Sequence, residues 1–386
     1  MSRLSTRRRR PLAAALVAAV STLAIASTCL AGMPADAGVA AAGTPSAAPL
    51  SPVLAAARPS AKAQRLDALY VQYWEEWLEL NPIQATFIGD PRYNGRLPNF
   101  LAAEYRQRNL DFNRRWQRSV RAIGADGLSG QDLLNYEIFL KTVSDAIEGD
   151  RYPAHLMPIN QFTNIAGFVA QMGSGRSAQP FKTVADYQAW QQRAHEVPAL
   201  FDQAIANMRE GMKAGVVQPK ALMVKVLPQL DALTADTAEK TLFWGPIAGM
   251  PAEFSEADKA RLTAEYKTMI EQELMPAYRR LRSFIADEYL PACRDTAGMQ
   301  DLPDGQAWYA WNAFQNTTTR LSPAQIHQIG LDEVARIHGE MRKVMAEVGF
   351  QGTLQDFFKY LNTDKRFEFA SEEALLAHYR GIETKL

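Results

Sequence analysis

The groups that could do chemistry in this chain of 386 residues are five histidines, many carboxylates, and one cysteine beyond residue 30. A zinc hydrolase needs ligands that converge, and H-E-x-x-H achieves this by setting two imidazoles one helical turn apart beside a general-base Glu. No such motif occurs among His155, His195, His327, His338 and His378. His327 and His338 fall on one stripe of a helix with Leu331, Val334, Met341 and Met345. Eleven residues at the helical rise separate them by roughly 16 Å, too far to share one ion. They read as helix-packing side chains. His195-Glu196 is followed by Val197-Pro198, where the proline bends or ends the helix before a second histidine could come into register. Gly173-Ser174-Gly175 lacks the G-x-S-x-G spacing of a hydrolase elbow. Cys293, in Leu290-Pro291-Ala292-Cys293-Arg294, has no histidine neighbour and reads as an inert thiol. Carboxylate pairs of the glycosidase kind stay open, because separation in space is not legible in sequence. Asp332, Arg336 and Glu340, at i, i+4 and i+8, read as a salt ladder on a solvated helix face.

The elements that would position these groups are helices. Leu66, Leu69, Tyr70, Tyr73, Trp74, Trp77 and Leu80 recur at three-and-four spacing, and Asn81-Pro82 stops the run, as proline does. Ser129 with Asp132, Thr183 with Asp186, and Ser255 with Asp258 each set a hydroxyl three residues before a carboxylate, the pattern of a capping box. Ser322-Pro323-Ala324-Gln325 adds proline at the first helical position and opens a helix running to about Val348, closed by Gly349. Alternating strands and a glycine-rich loop after a strand are both missing from the pattern, so the fold class is all-α. Irregular stretches are expected at Gly89 to Pro98, Tyr152 to Pro180, Phe243 to Pro251 and Pro291 to Gly305. The second mixes His155, Asn160, Gln161, Thr163, Asn164 and Arg176 with Phe162, Phe168 and Met172, a composition found in loops that line clefts. The alternative is a surface loop whose side chains satisfy one another. No internal repeat points to a solenoid.

Lys plus Arg and Asp plus Glu number 42 each, with 47% hydrophobic and 22% charged residues, an ordinary globular composition. The first 37 residues hold five arginines and one aspartate. Without them 37 basic residues face 41 acidic ones, which gives no electrostatic reason to seek nucleic acid or anionic lipid. Arg7 to Arg10 followed by the apolar run Pro11 to Leu30 is the charged and apolar pattern of an export signal. Ala35-Asp36-Ala37 offers a small-x-small cleavage site, so 1–37 is read as a signal peptide and 38–61 as a flexible linker. A retained membrane anchor is the alternative, since the run approaches the roughly 20 residues a span requires. Cys29 offers a site for lipid attachment, although Ala26-Ser27-Thr28 is a poor approach to one. The expected location is periplasmic or secreted, with a lipoprotein as the variant form.

Gly305-Gln306-Ala307-Trp308-Tyr309-Ala310-Trp311, the turn Asn316-Thr317-Thr318-Thr319, the helix containing Ile326-His327-Gln328-Ile329-Gly330-Leu331-Asp332-Glu333-Val334, and Gly349-Phe350-Gln351-Gly352 form one long motif. It resembles that of the exported bacterial family known as domain of unknown function 885. Pro180-Phe181-Lys182-Thr183 and Asp186-Tyr187 look like the family too, so the likeness runs from about residue 62 to 386. The resemblance implies a large multi-helix body of the zinc-metallopeptidase-like kind, whose H-E-x-x-H helix lies further downstream. On this expectation residues 62–386 are one helical domain, incomplete at its C-terminus and truncated before the zinc-binding helix. The final helix from Ser371, with Leu375, Leu376, Tyr379 and Ile382, ends without a Gly or Pro stop. Zinc is then expected only with the missing C-terminal half, and no cofactor, metal ligand or catalytic residue is assigned in this chain. Tyr309, Asn316, Thr317 and Thr318 match the motif and, with Gln161 and Asn164 of the polar-aromatic loop, are candidate contacts for a peptide or small-molecule substrate. Two functions follow: part of an exported zinc-dependent peptidase or hydrolase, inactive alone, or a non-catalytic periplasmic binding or scaffolding protein. Nucleic acid is not expected as a partner, nor a membrane beyond a lipid at Cys29.

Export is tested by N-terminal sequencing of protein from the periplasm, where the first residue is expected near Gly38. A membrane-retained product still carrying Pro11 to Leu30 would overturn it.

Overall fold

The computed structural model describes residues 60–385; the signal, the linker up to Arg58-Pro59 and Cys29 lie outside the described residues. The described part is all-α, with no β-strand in it beyond one isolated bridge between Pro219 and Arg294. Its principal helices are α1 (Ala61–Leu80), α2 (Pro82–Phe87), α3 (Ala103–Ile123), α4 (Gly130–Gly149), α5 (Ile165–Gly173), α6 (Val184–His195), α7 (Val197–Ala214), α8 (Val226–Asp231), α9 (Glu256–Met269), α10 (Met275–Phe284), α11 (Gly305–Thr317), α12 (Pro323–Glu347), α13 (Leu354–Thr363) and α14 (Glu372–Glu383). They fall into two compact units, 60–308 and 309–385.

In the first unit, α1, α3 and α4 bury one aromatic core. Tyr73 lies 4.7 Å from Phe139 and 5.8 Å from Trp116, both edge-on, the geometry that ring quadrupoles favour. The expected aromatic face of α1 is there: Leu66, Leu69, Tyr70 and Tyr73 are buried, while Trp74 and Trp77 pack from the side. Asn81 ends α1, its amide and side chain both donating to the Trp77 carbonyl, and Pro82 at once starts α2. The larger core is built on α5 to α10. Its buried tyrosines hold helices in register by hydroxyl bonds: Tyr187 to Pro246 O at 2.8 Å, Tyr266 to Tyr187 O at 2.9 Å, Tyr278 to Ala166 O at 2.6 Å.

The caps separate into kinds. Thr183 with Asp186 and Ser322 with Gln325 are reciprocal boxes, and Ser255 accepts from the Asp258 amide. Ser129 makes no side-chain cap; Gly130 follows it at φ +53°, a left-handed step that turns the first amides away from the hydroxyl. The α12 helix ends at Glu347 with Gly349 at φ +70°, the usual glycine stop. The stretch from Tyr152 to Pro180 is less irregular than expected, because Ile165, Ala166, Val169, Ala170 and Met172 bury one face of α5.

Between Glu256 and Ala292 the backbone stays helical through two prolines. A proline inside a helix lacks an amide and collides with the carbonyl four residues back. Each is accommodated by a wide π-turn just before it: Met275 N–H reaches Ile270 O ahead of Pro276, and Leu290 N–H reaches Ile285 O ahead of Pro291. The sequences match, Ile270-x-x-Glu273-x-x-Pro276-Ala277 and Ile285-x-x-Glu288-x-x-Pro291-Ala292, a local repeat with a clear backbone cause.

Arg193 on α6 is 1% exposed, and no carboxylate among the described residues pairs with it. Its guanidinium donates to Arg96 O at 3.0 Å, Gln179 Oε1 at 2.6 Å, Thr86 Oγ1 at 3.0 Å and Tyr93 O at 2.9 Å. Burial pushes its pKa down to about 10, which leaves it charged at neutral pH. Arg193→Leu is expected to destabilise the first unit by about 3 kcal/mol, since four acceptors, two buried and two part-buried, lose their donors at once. The check is a urea midpoint together with the protease sensitivity of the segment 88–99; an unchanged midpoint would show the network to be dispensable.

Candidate functional site

Gln161 and Asn164 are brought together at the start of α5. Asn164 caps that helix: its Oδ1 accepts from Ala166 N at 3.1 Å and Gly167 N at 3.4 Å. Its Nδ2 donates to Gln229 Oε1 at 3.1 Å, and Gln229 Nε2 donates to Gln161 O at 3.0 Å. Asn160 Oδ1 closes the turn by accepting from the amides of Phe162 and Thr163, each at 2.8 Å. The loop therefore satisfies most of its own polar groups, and both ends of the Asn164 side-chain amide are engaged within it. Gln161 Oε1 is buried without a partner. Beside it Phe162 is 70% exposed, and Phe87 stacks on Phe168 at 6.0 Å.

The other candidates belong to the second unit. Tyr309 is 50% exposed. Asn316 Nδ2 and Thr317 Oγ1 donate back to Asn312 O and Ala313 O, each at 2.8 Å, and Thr317 shares a 3.0 Å bond with Thr319. Thr318 has φ +56°, a left-handed backbone that a β-branched residue adopts only under strain. Its amide closes α11 by donating to Phe314 O at 2.7 Å. The Thr-rich turn is thus a helix stop whose hydroxyls are mostly spent on its own backbone.

The histidines do not converge. His195 Nδ1 lies 2.7 Å from Glu273 Oε2, His155 Nδ1 lies 2.9 Å from Arg106 Nη1, His378 sits beside the Phe369 ring, His327 is exposed and His338 is half-buried. Among the described residues no three His, Cys, Asp or Glu side chains are placed to hold a metal ion. Cys293 is buried, which pushes its thiol up to about 11, away from the reactive thiolate. The salt ladder does not form as expected: Arg336 takes Glu333 at 2.8 Å, Glu340 takes Lys343 at 2.9 Å, and Asp332 accepts from Gln328. On a bare helix the i, i+3 carboxylates reach first, and no packing neighbour enforces the longer spacing.

Two features have no warning in the sequence pattern. One is the Arg193 network, whose acceptors are 14 to 107 residues distant along the chain. The other is a cleft along α3, because arginines on an amphipathic helix read as ordinary solvated surface. No helix among the described residues is long and apolar enough to cross a membrane.

The Arg106–His155 contact requires a neutral ring, since Nδ1 must accept. Burial lowers the His155 pKa first and the Arg106 charge second, against weaker opposing effects of Glu210 and Asp150. The unfolded chain, titrating near 6.5, thus binds the extra proton. Stability is complete above that pH and declines as pH falls from there toward the folded-state value. His155→Gln is expected to flatten this slope in urea midpoints measured between about pH 7.5 and about pH 5, a window that brackets the ordinary histidine value of 6.5; an identical slope would overturn the assignment.

A solved structure titled "The crystal structure of the putative lipoprotein from Colwellia psychrerythraea" matches with a TM-score of 0.69 at 20% identity, over 84% of this chain and 59% of that one. The likeness is one of fold, and the chain spans less than two thirds of the length of that relative. No curated protein matches. The model of the family described as "Bacterial protein of unknown function (DUF885)" matches residues 82–386, and the chain belongs to that family.

Proposed function

We propose that this chain supplies the helical, substrate-facing portion of an exported zinc-peptidase-like hydrolase, with the metal-binding helix contributed by sequence beyond it. The observation that carries this reading is the apolar surface of the second unit. On α12 and at its C-cap, Ile329, Leu331, Val334, Ile337, Val344 and Val348 are 40 to 61% exposed, and on α14 Leu376, Tyr379 and Ile382 are 43 to 63% exposed. In that unit Met345 and Phe357 are the buried side chains. Helices that are apolar around much of their circumference are stable when covered. The cover that best fits is further helical chain, and the greater length of the solved relative supports it. Within the candidate set Gln161 and Tyr309 are best suited to touch a peptide, because the polar groups of Asn164, Asn316 and Thr317 are engaged locally.

A non-catalytic periplasmic binding protein is the second reading, favoured by the dispersed histidines among the described residues. A mixed peptide library, digested with and without chelator, separates the two. The chain as given is expected to hold no stoichiometric zinc after dialysis and to leave the library intact. The chain extended with the downstream region of a longer relative is expected to cleave it in a chelator-sensitive way and to lose the dye-binding apolar surface. Chelator-sensitive cleavage by the present chain would overturn the proposal, and an extended chain that binds peptide without cleaving it would favour the second reading.

A further inference from the structure

Helix α3 concentrates positive charge in an otherwise balanced chain: Arg106, Arg108, Arg114, Arg115, Arg118 and Arg121 stand against Glu104 and Asp111. One side of it walls a cleft of about 970 Å³, closed opposite by the end of α1 and the segment Gly95–Asn99. That volume suits a ligand rather than a crevice of trapped water.

The arginines of the cleft divide into two groups. Arg115 is neutralised by Glu76, and Arg96 lies 3.8 Å from Glu79. Arg108, Arg114 and Arg118 line the same cleft and pair with no carboxylate among the described residues. The guanidinium of Arg108 rests 5.4 Å from the Tyr105 ring centre. Of the remaining acids, Asp111 accepts from Gln107 at 3.0 Å and Glu196 lies on the rim formed by the start of α7. Leu80, Leu97 and Phe112, each nearly buried, give the cleft an apolar floor.

We propose that this cleft binds an extended acidic peptide, its carboxylates on Arg108, Arg114 and Arg118 and its apolar side chains on the floor of Leu80, Leu97 and Phe112. Arg108 and Arg118 stand about 15 Å apart along the helix, the span of about five extended residues. Guanidinium forks hold carboxylates in bidentate fashion, and the alternation of charge with apolar floor selects acidic side chains interleaved with large apolar ones. The site lies wholly in the first unit and does not depend on the zinc-peptidase reading.

The test titrates the full mature chain with fluorescent Glu-Leu-Glu-Phe-Glu and with its Gln-Leu-Gln-Phe-Gln counterpart. The acidic peptide is expected to bind at least about tenfold more tightly, and the advantage to shrink as salt screens the exposed arginines. The variant R114Q/R118Q is expected to lose that advantage, while R121Q, outside the cleft, keeps it. Circular dichroism and melting curves establish that each variant is folded, which is expected because these arginines are exposed. Equal affinity for the two peptides, or undiminished binding by folded R114Q/R118Q, would overturn the proposal. So would complete displacement by inorganic phosphate, or binding to phosphatidylglycerol-containing vesicles in place of peptide; either would mark a simple anion or headgroup site.

Discussion

A guanidinium buried without a counter-ion is tolerable only where its donors meet acceptors in the directions its plane dictates. Arg193 imposes that requirement on the first unit. Its partners are the carbonyls of Tyr93 and Arg96, the Thr86 hydroxyl and the Gln179 amide, and Thr86 in turn donates to Asn94 Oδ1 and Gln179 to Asn94 O. The connection from α2 to α3 is thereby fixed against α6. Since Gly95 to Asn99 forms one wall of the cleft along α3, the shape of that cleft depends on a charge that never touches it. Gly95 fits the arrangement: a Cβ there would come within 2.4 Å of Gln192 Oε1 on α6.

The prolines of the larger core act in a related way. Pro276 and Pro291 each remove a backbone donor from a long helix, and the π-turn before each lets the helix continue at the expense of one wide turn. The burial of Ile270, Leu274, Met275, Ile285 and Tyr289 around these turns stabilises a geometry that an isolated helix would avoid. Tyr289 shows the benefit: its hydroxyl accepts from the Gln218 amide at 3.0 Å and so orders the segment after α7.

The two units contrast in how they meet the hydrophobic requirement. The first buries its aromatic residues in two contiguous cores. The second forms its helices through local means, the Ser322 and Thr353 boxes and the Gly349 stop, while leaving most apolar side chains exposed. Capping and propensity suffice to set where a helix begins and ends, but each contributes only about 1 kcal/mol, so tertiary cover must supply most of the stability.

Periodicity, capping residues and proline positions are local properties, and they made the all-α class, the α1 aromatic face, the boundaries of α6 and α12 and the exposed face of α14 legible in the sequence. The family was legible for the same reason, as an uninterrupted motif around Tyr309 to Gly352. Where Asn164, Asn316 and Thr317 send their hydrogen bonds was not legible, because a polar side chain in a loop chooses between ligand and backbone only once the backbone has a shape. The failure of the Asp332–Arg336–Glu340 ladder and of the Ser129 cap came from neighbours three residues away or from one left-handed glycine, details finer than spacing rules resolve. The Arg193 network and the cleft beside α3 join residues far apart along the chain, and only folding brings them within bonding distance.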